Sequence, residues 1–212
     1  MKTDIHVLGT EQKYIEMASQ VIKKGGIVVY PTESFYGIGA DATNEKAVKK
    51  VFRIKGREEG KPILLIIGNM DMLYLLVEDI PDYALRLIEN FWPGPLTILF
   101  RASKYVLSAL TGGTDKIGIR MSGYPVARML SELSGVPITG TSANLSGKAP
   151  CKSADEIIKE LSGIDIILDA GTLSAQKPTT VVDVTVRPAK IIRKGLIPEN
   201  MIRDVVGEIE YA

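Results

Sequence analysis

The side chains in this sequence that could do chemistry are cations and hydroxyls beside turns, not imidazoles or thiols. His6 is the one imidazole and Cys151 the one thiol in 212 residues. A Ser-His-Asp or Cys-His enzyme would have to rest on His6, which reads as a surface position near a loose terminus. One Cys and one His cannot form a four-ligand zinc site or close an internal disulfide, and Cys151 reads as a small buried side chain. The cations are more informative. Residues 49–61 hold Lys49, Lys50, Arg53, Lys55, Arg57 and Lys61 against Glu58 and Glu59. Lys49, Lys50 and Arg53 face solvent at helical spacing. Lys55 lies three and four residues past Phe52 and Val51, on their apolar stripe, so it either snorkels to the surface or is aimed into a cleft. Arg120 stands near the end of K-I-G-I-R-M, in alternation with Lys116 and Gly118, and Arg193 ends A-K-I-I-R. A guanidinium at a strand end suits bidentate capture of a carboxylate or phosphate, or a structural ion pair. Ser142 and Asn144, in T-S-A-N-L-S-G, either bind a ligand or satisfy turn backbone. Together these residues point to a pocket for an anionic ligand.

Three phosphate and nucleophile motifs fail on inspection. G-R-E-E-G-K-P (56–62) has one residue too few for a P-loop, and Pro62 stands where a magnesium-binding hydroxyl is needed. G-I-G-A-D-A (37–42) follows its strand too late for a dinucleotide fingerprint. G-T-S-A-N-L-S-G (140–147) holds no G-x-S-x-G elbow. These stretches read as glycine turns.

The elements that must position the cations alternate between helix and strand. Residues 11–24 place Tyr14, Met17, Ala18, Val21 and Ile22 on one stripe, closed by Gly25 and Gly26. A β-branched strand over 27–30 stops at Pro31. A helix over 44–55 starts at a capping Asn44, and 62–67 is apolar throughout, as in a strand covered on both faces. Helices follow at 70–77 and 82–91, strands at 96–101 and 116–121, a helix at 124–135 and a strand at 136–140. Ser153 and Glu156 form a capping box. Strands at 164–168, 179–186 and 189–193 precede a helix opened by Pro198. The fold class is α/β: a twisted mixed β-sheet flanked by helices, in one domain over 1–212 with its core at about 11–200. Apolar residues are 45% and charged residues 24%, which excludes disordered and fibrous classes. The net charge of +1 is far from the basic excess of a protein that wraps nucleic acid. No signal-peptide core or membrane-length apolar run occurs, so a soluble, cytoplasmic location with no membrane contact is expected.

P-T-E-S-F-Y-G-I-G (31–39), K-G-R (55–57), F-W-P-G-P-L-T (91–97), I-R-M (119–121), T-S-A-N-L-S-G (141–147) and I-I-R-K-G (191–195) resemble the YrdC family of threonylcarbamoyl-AMP synthases. The likeness runs in order over nearly the whole chain. It implies a concave basic cavity and an L-threonylcarbamoyladenylate synthase, a nucleotidyltransferase. Such an enzyme joins L-threonine, bicarbonate and ATP, with Mg2+ carried by the ATP, into threonylcarbamoyl-AMP and pyrophosphate. A downstream transfer complex then uses the product to modify tRNA, and tRNA itself is a further candidate partner. By position, the resemblance assigns Thr32, Arg120, Gly140 and Thr179 to threonine. It assigns Lys55, Arg57, Ser142, Asn144 and Arg193 to ATP, with Tyr36, Lys61 and Lys116 as further candidates; no residue acts covalently and none binds a metal. Ile66 stands where some members carry a His, and Lys116 where some carry a Thr. Longer members continue into a second domain, whereas this chain resembles the short form. The competing reading is a non-catalytic double-stranded RNA or tRNA-binding module that uses the same cavity. A carbamoyl-adenylate enzyme of the hydrogenase-maturation type would be large and carry zinc-finger cysteines.

Overall fold

Residues 5–174 and 177–211 are described by a computed structural model. In chain order the elements are β1 (His6–Leu8), α1 (Gln12–Lys23), β2 (Val28–Tyr30), β3 (Gly37–Gly39), α2 (Glu45–Lys55), β4 (Leu65–Ile66), α3 (Met70–Leu76), α4 (Asp82–Phe91), β5 (Leu96–Arg101), α5 (Ser108–Thr111), β6 (Lys116–Arg120), α6 (Pro125–Ser134), β7 (Ile138–Thr139), β8 (Thr141–Ser142), α7 (Ala154–Glu160), β9 (Ile166–Leu168), β10 (Thr180–Asp183), β11 (Ala189–Arg193), α8 (Glu199–Val206) and β12 (Ile209–Tyr211). The helices begin and end where the local chemistry requires. Asn44 Oδ1 accepts from the Lys46 and Ala47 amides at 3.1 and 3.2 Å to cap α2, and Gly56 closes that helix at φ +55°. Ser153 Oγ accepts from the Glu156 amide at 3.3 Å, while the Glu156 carboxylate reaches one residue further back, to the Lys152 amide, at 2.7 Å.

The strands form two mixed sheets, not the single sheet read from the sequence. One has the order β1-β9-β2-β3-β8 and the other β12-β11-β10-β5-β6-β4-β7. The corner between them is Gly140: β7 belongs to the larger sheet and β8, one residue further on, to the smaller. Its amide donates to Leu64 O at 2.8 Å, while the Thr139 amide donates across to Ala40 O at 3.0 Å. A strand that changes sheets at a corner must turn sharply, and glycine suits that corner sterically. A Cβ on Gly140 would lie 2.5 Å from Leu64 Cδ1.

Four local readings change. Residues 37–39 are strand, not turn: β3 pairs antiparallel with β2, and the Tyr30 ring lies across it. A Cβ on Gly39 would lie 2.8 Å from that ring, so glycine here makes room for an aromatic side chain. The segment holding His6 is β1, paired in parallel with β9, although His6 itself is exposed. In α1 the buried face is Ile15, Ala18, Ser19 and Ile22, and Met17 is exposed, because α1 turns toward Val126, Ala127 and Leu130 of α6. The run 62–67 narrows to a two-residue ladder in β4, placed between β6 and β7.

Candidate functional site

A cavity of about 440 Å3 opens where strand ends and loops from both sheets converge. The β2–β3 connection supplies Thr32, Ser34 and Tyr36, and β6 supplies Gly118 and Arg120. The sheet corner gives Gly140, Thr141 and Ser142, and Thr179, just before β10, and Arg193, the last residue of β11, close it. Leu64, Leu99, Val181 and Ile192 form an apolar wall. Gly118 keeps that wall open, since a Cβ there would stand 3.2 Å from both Leu64 Cβ and Leu99 Cδ2. Arg57, Arg120 and Arg193 are the cations of the lining, and among the described residues no carboxylate lines it. Three guanidiniums with several hydroxyls suit phosphate and carboxylate oxygens.

Each cation is held differently. Arg57 closes its own loop, donating to Pro62 O at 2.8 Å and Lys61 O at 3.3 Å. Arg193 donates through Nε to Thr179 O at 3.0 Å and through Nη2 to Thr179 Oγ1 at 2.9 Å; Thr179 Oγ1 in turn meets Thr97 Oγ1 at 3.0 Å. Partial burial, and then the charge of Arg120, hold the Arg193 guanidinium below its ordinary pKa. Arg120 is buried and donates through Nη1 to Glu33 Oε1 at 3.0 Å. Thr32 Oγ1 accepts from the Ser34 and Phe35 amides at 3.1 and 3.2 Å and donates to Phe35 O at 2.7 Å, which shapes the turn it sits in. Tyr36 lines the wall with its hydroxyl donated to Gly171 O at 2.7 Å, and burial pushes that phenol up to about 12.

Four of the sequence-predicted positions lie elsewhere. Lys55 and Asn144 sit behind the cavity wall. Lys55 is 2% exposed, and its ammonium donates to Ser142 O, to Asn144 O at 2.9 Å and to Asn144 Oδ1 at 3.3 Å. It neither snorkels nor reaches the cavity; it spends its N–H groups on loop carbonyls. Asn144 Oδ1 accepts from Ser142 Oγ at 2.5 Å, and its amide donates to Leu145 O and Lys148 O, each at 2.8 Å. The two residues thus shape the loop that presents Ser142. Lys61 is exposed beside Glu58, and Lys116 pairs with Asp183 at 2.8 Å, away from the lining. Ile66 is buried under the corner, with Cγ1 3.0 Å from where a Cβ on Gly140 would be. Sequence reasoning missed Thr97, Glu33 and Ser122. Thr97 and Glu33 lie inside the motifs quoted above, and Ser122 continues the 116–118–120 alternation, so that period was the available signal.

The fold and this cavity define an α/β domain that gathers guanidinium and hydroxyl groups at a corner between two sheets. The family model for Sua5, YciO and YrdC proteins, described as telomere recombination, matches residues 20–195, and the chain belongs to that family. It is 39% identical over 200 residues to the threonylcarbamoyl-AMP synthase of Pyrococcus abyssi (strain GE5 / Orsay), covering 94% of this chain and 59% of that protein. It is 35% identical over 204 residues to the threonylcarbamoyl-AMP synthase of Bacillus subtilis (strain 168), covering 95% and 59%. The crystal structure of P. abyssi Sua5 complexed with L-threonine superposes with a TM-score of 0.94 at 38% identity, covering 99% of this chain and 63% of that one. Escherichia coli YciO matches with a TM-score of 0.81 at 29% identity, covering 92% and 97%. The chain spans about three fifths of the length of these two curated relatives. Among the described residues no helix is long and apolar enough to cross a membrane.

Proposed function

We propose that this chain is an L-threonylcarbamoyladenylate synthase, a nucleotidyltransferase acting in the cytoplasm on L-threonine, bicarbonate and ATP. The observation that carries the reading is the convergence of Arg57, Arg120 and Arg193 with the hydroxyls of Thr32, Ser142 and Thr179 in one cavity without a lining carboxylate among the described residues. The relatives named threonylcarbamoyl-AMP synthase and the threonine complex of Sua5 support it. The threonine amine adds to bicarbonate with loss of water to give an N-carboxylate. One oxygen of that group attacks the α-phosphorus, and the bond to the bridging oxygen breaks to release pyrophosphate. Both reactants are anions, so the chain's part is to lower their repulsion and align them, with no covalent residue. Arg120 holds the threonine carboxylate, with Thr32, Gly140 and Thr179 around the amino acid, and Arg57, Ser142 and Arg193 hold phosphate oxygens. The lining suits anions and not a bare cation, so Mg2+ belongs to the ATP as substrate, on the phosphates' own oxygens. The product passes to a transfer complex that modifies tRNA. The chemistry resides in the unit of about residues 11–200.

Labelled pyrophosphate release should require threonine, bicarbonate and ATP together. In the same assay Arg120→Lys should raise the threonine KM by about tenfold, because a point charge cannot replace a fork. Salt-sensitive tRNA binding with no threonine-dependent release would instead select the RNA-binding module.

A further inference from the structure

We infer that Glu33, fixed by Ser122, is a positioning residue that holds one end of the Arg120 guanidinium and leaves its Nε edge for the carboxylate of the amino-acid substrate. This rests on the reading above that Arg120 receives that carboxylate.

Few of Arg120's donors are used. Nη1 donates to Glu33 Oε1 at 3.0 Å, whereas Nε is buried and has no hydrogen-bond partner among the described residues. A guanidinium stays protonated and carries five N–H groups in a fixed fork. A buried donor left unpaired is costly, because it has given up its bonds to water without replacing them. An orphan donor on a cavity-lining side chain therefore marks an edge awaiting an acceptor. Glu33 does not fill that edge: it touches one nitrogen, and it is absent from the cavity lining. It lies outside the lining and so not in the substrate's place.

The carboxylate is itself held in place. Its second oxygen accepts from Ser122 Oγ at 2.5 Å, and Ser122 Oγ accepts from the Tyr124 amide at 3.2 Å, immediately before α6. The start of α6, Ser122, Glu33 and Arg120 thus form one line of contacts. The two charged side chains are 5% and 17% exposed, the most buried ion pair among the described residues. Arg193 adds a reason for the pair, since Arg120 and Arg193 are close enough for their charges to interact. Glu33 offsets one of two cations that would otherwise repel across the cavity, and so holds Arg120 in place.

Steady-state kinetics on wild type, Glu33→Gln and Ser122→Ala test this, with L-threonine and ATP varied separately and threonine binding measured directly by calorimetry. Glu33→Gln keeps the shape and removes the charge. It should raise the threonine KM and Kd by about tenfold while the ATP KM and kcat stay within about threefold, as loss of one charge-assisted contact predicts. Ser122→Ala should shift the same two constants in the same direction by a smaller factor. A threonine KM unchanged in both variants overturns the inference. A lowered threonine KM does so too, for it would make Glu33 a competitor of the substrate. Equal rises in both KM values would mark a general structural role and also overturn it. If wild type shows neither threonine-dependent release nor threonine binding, the functional reading fails and the inference falls with it. If wild type is active and the variants match it, only the inference fails.

Discussion

Lys55 illustrates how a residue can matter to a site it does not touch. Its ammonium lies under the Ser142–Asn144 turn and donates to three oxygens of that turn. Ser146 N returns a bond to Lys55 O at 2.8 Å, and Leu145 N is held by Glu160 Oε1 at 2.7 Å. Lys55→Ala should therefore lower turnover by about tenfold or more through a loosened loop, and destabilise the fold by about 1–3 kcal/mol through orphaned carbonyls. Urea unfolding and initial rates measured together check both effects. Burial first, and then the charge of Arg57, lower the Lys55 pKa from 10.5 to about 8. Between those values the unfolded chain holds a proton that the folded chain has released. Stability contributed by this group therefore rises with pH across that window and is constant below it, with a full span of about 3 kcal/mol. Lys55→Met should flatten that slope in unfolding curves taken from pH 8 to pH 10.5. A slope identical to wild type would mean that Lys55 titrates as an exposed amine.

At the scale of elements, what builds the cavity is the change of sheet at Gly140. β7 lies inside the strand read at 136–140, whereas β8, only two residues long, is too short to announce itself by alternation, and the two belong to different sheets. β3 was hidden for another reason: Gly37-Ile38-Gly39 carries little strand propensity, and only the Tyr30 ring packed against it explains the glycines. The long amphipathic helices, the strand over 96–101 and the caps were legible because period and capping chemistry are local. A Cβ at Gly140 would meet Leu64 Cδ1 at 2.5 Å and Ile66 Cγ1 at 3.0 Å. Leu64 lines the cavity and is the softer neighbour, so Gly140→Ala should push it into the pocket. The expected result is a stability loss of about 1–3 kcal/mol, as for other overpacked sites, and a raised KM for threonine. Thermal melts and kinetics on the same preparation would show it, and an unchanged threonine KM would mean that the corner yields away from the cavity.

On the scale of the whole molecule, the cavity draws Thr32 and Ser142 from beside the smaller sheet and Arg120, Thr179 and Arg193 from the larger. A ligand that fills it ties the two sheets together. Threonine and ATP, each present at about 100 times its dissociation constant, should add about 2.7 kcal/mol per ligand to the unfolding free energy. They should also slow amide exchange in β3 and β8 as well as in β6 and β10. Protection confined to one sheet would place the ligands outside this cavity.

What the sequence determined by itself was chemical inventory and local periodicity. One His and one Cys left no imidazole or thiolate machinery, the cations clustered beside turns, and the helices followed from their apolar stripes. Those properties depend on residue type and near neighbours, so they can be read in one dimension. Tertiary structure decided which cations face a shared space. It turned Lys55 and Asn144 into supports, sent Lys116 to Asp183, and brought Glu33 against Arg120 and Ser122, which lie 87 and 89 residues further along the chain. Contacts at that separation come from how the two sheets meet at Gly140, and no local spacing encodes that meeting.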